Sequence, residues 1–251
     1  MSEDAFAGFS RDRRIRVGFY GETFAGRSKS GDEVRILRVA DELAADKKFV
    51  EAVLHFGRAL ALIDSDALVA TRAVGKSDDD ELLIVTEVVD EPITLEQLLL
   101  DLDGAPAQNL ALAIARALVD ALAKLHEVGL CHGAVHPRSV WLSKGGRVCL
   151  GDCAPARALA AAAVVDTKLL DGIREFVAPE VLAGREASAG SDVYAAGRIL
   201  ERLVGEQSDM AAVLRRALNE DSHERFADGA GLKRAFDGAV RASGSSTAER
   251  A

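Results

Sequence analysis

Over residues 15–39, short apolar stretches alternate with Gly21, Gly26 and the cluster Lys29-Ser30-Gly31-Asp32. That pattern predicts a three-stranded meander with a hairpin turn. Phe49, Val53, Phe56, Leu60 and Ile63 then recur at helical spacing, so a helix is expected over 46–63. The apolar run 81–89 suits a buried strand, and beyond Glu91 the period becomes helical, over 95–102 and then 109–128 with a continuous Leu/Ala/Ile face. Two short apolar pieces, 140–142 and 148–150, flank Lys144-Gly145-Gly146 as a small hairpin. Further helices are expected over 191–204, 210–218 and 229–240. These elements predict an α+β chain of two lobes, a small β-rich one over 14–90 and a mainly α one over 91–241. Residues 1–13 and 242–251 are small, polar and aperiodic, and are expected to lack stable structure.

Composition narrows the class. A chain of 251 residues, 49% hydrophobic and 28% charged, can bury a core and has no apolar run of the roughly 20 residues that a membrane span needs. The opening residues lack the basic-then-apolar order of a secretory signal, and Cys131, Cys149 and Cys153 suggest no disulfide framework, so a soluble protein of the cytoplasm is the expectation. The net charge of -9 argues against a nucleic-acid partner, and the basic cluster 11–16 is too short to offset it.

Several segments carry a more specific message. His132-Gly133-Ala134-Val135-His136-Pro137-Arg138-Ser139-Val140-Trp141-Leu142 looks like a protein-kinase catalytic loop, and Gly151-Asp152-Cys153-Ala154 stands in the place of the metal-binding Asp-Phe-Gly. Val177-Ala178-Pro179-Glu180 matches the Ala-Pro-Glu that closes an activation segment. The run 191–197 resembles the start of the long central helix, and 219–226 resembles the late segment ending Arg-Phe. One such motif is weak, but five in the right order over about 15–240 resemble the protein-kinase superfamily, most of all bacterial eukaryotic-like Ser/Thr kinases.

The resemblance implies where phosphotransfer would need its charges: a lysine on the phosphates, a glutamate holding it, an aspartate for the hydroxyl, and an asparagine and aspartate for metal. Leu37 stands at the lysine, Phe56 at the glutamate, Ala134 at the catalytic aspartate, His136 at the following lysine and Ser139 at the asparagine. Arg38 is one residue from Leu37 and belongs to the opposite strand face unless a bulge turns it, while Glu51, about a turn and a half before Phe56, is an alternative only if the helix slides or its register differs, and otherwise reads as a solvated surface residue. Arg35 takes the place of the small alanine beside adenine. Gly18 and Gly21 are vestiges of the glycine-rich loop, with Arg16 at its first glycine. Asp152 alone survives from the active set and is a weak Mg²⁺ candidate without a second carboxylate. Gly133 replaces an arginine that grips a phosphorylated activation segment, Thr167 is the only hydroxyl in that segment, and Ile173 stands at a substrate-side threonine.

Residues with structural roles are kept: Glu180 and Arg225 as a buried ion pair, Asp192 as the anchor of the catalytic loop and His132 beneath it. The short stretch 206–209 takes the place of a substrate-docking helix, and the Ala-rich run 158–165 reads as a short capping helix or a surface that packs over the cleft. The resemblance therefore implies a pseudokinase with no cofactor, binding a protein partner such as an active kinase or signalling assembly. An enzyme with residual or non-standard ATP chemistry is the alternative. The sequence 132–137 also resembles the loop of small-molecule phosphotransferases, whose catalytic aspartate is equally replaced by Ala134.

Overall fold

A computed structural model describes residues 8–162, 172–205 and 208–248. The first lobe is one antiparallel sheet of β1 (Phe9–Gly18), β2 (Gly21–Ser28), β3 (Glu33–Val39), β4 (Thr71–Lys76) and β5 (Leu82–Glu87), in the order β1-β2-β3-β5-β4. Between β3 and β4 lie α1 (Asp41–Ala44) and α2 (Lys47–Leu60). Asp46 starts α2 by accepting hydrogen bonds from Lys48 N at 2.8 Å and Phe49 N at 3.0 Å, and Phe49, Ala52, Val53 and Leu60 form its buried face.

The second lobe opens on β6 (Ile93–Thr94) and α3 (Leu95–Asp101), followed by α4 (Gln108–Glu127), the hairpin β7 (Val140–Leu142) and β8 (Val148–Leu150), and α5 (Cys153–Ala161). It ends with α6 (Pro179–Leu182), α7 (Ala189–Val204), α8 (Ser208–Ala217) and α9 (Gly229–Ala248). Ala111, Ile114, Ala115, Leu118, Leu122 and Leu125 recur every three or four residues on α4 and are buried between α7, α8's neighbour α9 and the hairpin. Each such leucine contributes about 1.5–3 kcal/mol by leaving water. Only residues 205–207 separate α7 from α8.

The two lobes share a core, in which Val39, Phe49 and Val53 join Leu150, Ala158 and Leu159. Backbone bonds stitch them together: Leu150 N donates to Ala67 O at 2.9 Å and Val69 N to Leu150 O at 3.0 Å. Arg147 reinforces the seam, donating to Asp66 O at 2.8 Å, Leu68 O at 2.7 Å and the Glu87 carboxylate at 2.7 Å.

Three boundaries differ from expectation. Residues 9–13, expected to lack structure, belong to β1, an exposed edge strand stabilised by backbone pairing with β2 and by ion pairs Arg11–Glu81 at 2.8 Å and Arg14–Glu22 at 2.5 Å instead of burial. Helix α9 runs through 242–248, where Ser243 Oγ donates to Ala239 O one turn back at 3.1 Å and so absorbs a polar side chain into the helix. Strand β4 carries little apolar alternation because its second fully buried position is Gly75; pairing with β5 makes it a strand. Residues 1–7 and 249–251 lie outside the described residues.

Arg225, with its side chain fully buried, meets Glu180 through two parallel bonds of 2.7 and 2.8 Å, and also donates to Asn219 O at 2.6 Å, Gly190 O at 3.1 Å and Glu220 O at 3.1 Å. Its guanidinium stacks on Tyr194 at 4.9 Å. Replacing Glu180 with alanine leaves that cation uncompensated, so Glu180→Ala is expected to cost about 3 to 5 kcal/mol in chemical denaturation. Burial raises the Glu180 carboxyl, but the Arg225 hydrogen bonds outweigh it and hold the group below its ordinary value of 4.5. This stabilisation is complete above that value and is lost as pH falls through the depressed one, so the gap between wild type and Glu180→Ala narrows in acid.

Candidate functional site

The loop between α4 and β7 is held from below by one carboxylate. Asp192, on α7, accepts from His132 N at 2.6 Å, Gly133 N at 2.9 Å and His126 Nε2 at 3.1 Å. Gly229 N donates to His126 Nδ1 at 2.7 Å, so the ring proton sits on Nε2 and points at Asp192. His126 was not singled out from the sequence; it lies on the apolar face of α4, and only the arrival of α7 and α9 on either side makes it a bridge. His132 is likewise fully engaged: Nδ1 accepts from Ala134 N at 3.3 Å and Nε2 donates to Gly151 O at 2.9 Å, joining this loop to the end of β8.

Ala134 follows, with a methyl group at the position the resemblance gives to a catalytic aspartate. His136 and Ser139 are both buried and serve each other. The His136 ring accepts from Arg138 N at 3.1 Å, while Ser139 Oγ accepts from His136 N at 3.1 Å and donates to His136 O at 2.7 Å. This reciprocal cap closes a turn and occupies the Ser139 hydroxyl proton. Burial, helped by His132 and Arg138, lowers the His136 ring to about 3.

On β3, continuous pairing with β2 and β5 leaves no bulge that would turn Arg38 inward. Arg38 donates outward to Glu81 at 2.7 Å and Asp41 at 2.8 Å, and Leu37 packs against the shared core on the other face. Arg35 shares the Leu37 face by strand alternation. On α2, Phe56 is half-buried against the core and Glu51 is exposed.

The β1–β2 turn closes over the cleft. Gly21 has a positive φ of 135°, and a Cβ there would fall 2.0 Å from Arg38 O, so close backbone approach accounts for this glycine; Gly18 faces open space. Between them Tyr20 turns inward, packs against the shared core and buries its hydroxyl without a hydrogen-bond partner among the described residues. Burial, followed by the charges of Asp152 and Cys153, raises that hydroxyl far above the ordinary tyrosine range. Arg16 of β1 reaches the second lobe, its guanidinium 5.5 Å from the centroid of Trp141 on β7. The indole packs against Val69, Val89 and Cys149, donates Nε1–H to Arg138 O at 3.1 Å, and presses on Gly151, where a Cβ would fall 2.7 Å from the ring. Tyr20 lies in the segment resembling the glycine-rich loop and Trp141 in the one resembling the catalytic loop, but neither was given a role of its own, because motif order does not show which side chains meet across the cleft.

Asp152 stands between these groups. Burial raises its carboxyl above the ordinary range, opposed by Arg16 and His132. A nucleotide-bound Mg²⁺ leans on two carboxylate or carbonyl ligands, whereas the Ser139 hydroxyl is committed to its cap and Ala134 has no side-chain oxygen, so these side chains do not fit that ion. Among the described residues no group of three His, Cys, Asp or Glu side chains is placed to hold a metal. Burial raises Cys131 and Cys149 to about 11 and Cys153 further, keeping all three as thiols. Ile173 is buried in the core, and Thr167 lies outside the described residues.

The ring of His136 is neutral in the fold but protonates below about 6.5 when the chain unfolds. Its folded value being depressed, stability is lost as pH falls from 6.5 toward 3. His136→Asn keeps an acceptor at the cap and removes the titration, so urea denaturation of the variant is expected to show a shallower decline across that window than the wild type.

The protein kinase domain family model matches residues 9–228. Serine/threonine-protein kinase PknL of Mycobacterium tuberculosis is 31% identical over 192 residues, which cover 76% of this chain and 47% of PknL. Serine/threonine-protein kinase PknA of the same organism is 28% identical over 191 residues, covering 74% of this chain and 44% of PknA. The chain thus spans less than half the length of these curated relatives. The crystal structure of the M. tuberculosis PknI kinase domain superposes with a TM-score of 0.76 at 21% identity, covering 93% of this chain and 96% of that one, a likeness of fold. Motif order, two-lobed architecture and the extent of these matches together place the chain in the protein kinase family.

Proposed function

We propose that this chain is a catalytically silent member of the protein kinase family, a pseudokinase that works as a signalling interaction or regulatory module. The observation that carries the reading is the loop held by Asp192, where the backbone matching a kinase catalytic loop is anchored but Ala134 supplies only a methyl group at the position of the catalytic aspartate. No neighbour can give a methyl group the power to accept a proton. Support comes from β3, where Leu37 packs against the apolar core and Arg38 is turned outward to Glu81, leaving the lysine position without a cation. Gly18, Gly21 and Asp152 are vestiges on this reading.

The cleft supports the same conclusion. Trp141 and Arg16 stack across it and Tyr20 descends beside Asp152, so a triphosphate would have to displace side chains that are packed against one another. The partner in this proposal is a protein, an active kinase or a signalling assembly of the cytoplasm, and neither nucleic acid nor membrane is part of it. No helix among the described residues is long and apolar enough to cross a membrane.

ATP with Mg²⁺ or Mn²⁺ at millimolar concentration is expected to leave the melting temperature unchanged, and γ-phosphate transfer to the chain itself or to a generic acceptor protein is expected to stay at background. A clear melting shift would restore the rival reading of residual nucleotide binding, and turnover abolished by Asp152→Asn would replace this proposal with an enzyme.

A further inference from the structure

The segment after Asp152 is a helix packed into the body of the protein. Asp152 sits in the left-handed region with φ 55°, and α5 follows with Cys153, Ala154, Ala156, Ala158 and Leu159 buried. One side of α5 lies along α2, where the Arg157 guanidinium stacks over Phe56 with Cζ 4.5 Å from the ring centroid. Arg157 Nε is buried there without a hydrogen-bond partner among the described residues, so the ring face is the attraction that compensates its desolvation. The other side lies on the loop held by Asp192. At Gly133, with φ 84°, a Cβ would fall 2.8 Å from Ala160 Cβ and 3.8 Å from Ala156 O.

We infer that α5 is a captive helix, and that Phe56 and Gly133, two positions that in active relatives of this fold would carry phosphotransfer or its control, form the socket that holds it. The steric argument is direct. Any side chain at residue 133 occupies the volume of Ala160, and an arginine there and a docked α5 exclude one another. Small residues on α5 complete the fit, because Ala156 and Ala160 let the helix backbone approach the loop as closely as Gly133 allows. The aromatic ring at residue 56 supplies what a carboxylate would supply elsewhere, a surface for a cation, but the cation comes from α5 and not from β3. The consequence is that α2, α5 and the Asp192-anchored loop form one rigid unit. This inference goes beyond the proposed lack of catalysis and is independent of whether ATP binds.

Hydrogen exchange on the full chain tests it. In the wild type, amides over 156–161 are expected to exchange as slowly as those in the middle of α2. Ala160→Glu, which adds bulk on the α5 side without touching the strained backbone of Gly133, is expected to speed exchange over 153–161 about tenfold or more while α4 and α7 keep their protection. Arg157→Gln and Phe56→Leu are expected to loosen the same segment to a smaller degree, with the double variant no looser than the more affected single one. If Ala160→Glu fails to fold, this pair still decides the matter. Wild-type α5 exchanging at the rate of an unstructured peptide, or additive effects in the pair, would overturn the captive-helix inference. Nucleotide binding measured on the same samples reports separately on the silent-kinase reading.

Discussion

The Asp192 carboxylate accepts three hydrogen bonds that tie α7 to the end of α4 and to the loop that follows it. It is almost completely removed from water, yet it accepts from two successive backbone N–H groups and from the His126 ring, so its lone pairs are used where a buried charge would otherwise be prohibitive. Through His126 it is tied to the start of α9, and through His132 to the end of β8. Four elements far apart in sequence therefore meet at one charge. Removing that acceptor would leave buried donors unsatisfied in three directions at once, which costs more than any single bond contributes.

Around this anchor, packing contacts and paired charges join the two lobes. Phosphate chemistry needs cations and carboxylates held in a cleft that water and nucleotide enter, and an unpaired ionic group left in a closed cleft would be costly. In this chain the contacts around the cleft include a cation over an indole, a tyrosine packed against the core and an arginine over a phenylalanine. Such contacts are satisfied without a ligand. The ion pairs that remain buried, Glu180 with Arg225 above all, are those whose every donor finds an acceptor within the fold.

Much of this was legible in the chain as written, and for identifiable reasons. The meander, α2, α4 and the β7–β8 hairpin announce themselves because their apolar periods are strong and their turns contain Gly, Asp or Ser. The outward turn of Arg38 follows from strand alternation alone. By contrast, the first half of β1 is exposed and outside the apolar pattern, and β4 buries a glycine, so these stretches are paired as strands because a neighbour offers backbone partners.

Local chemistry, then, determined which side chains are available: a methyl group at residue 134, an apolar residue at 37, no hydroxyl but Thr167 between Asp152 and Glu180. What those side chains do was decided by tertiary structure, because contact between residues 16 and 141, 56 and 157, or 126 and 229 depends on how separate elements approach in space. Periodicity encodes a face for each element and nothing about which distant ring or guanidinium will meet it. The burial of Tyr20 beside Asp152, and the seat of α5 on Gly133, exist only once two lobes share a core.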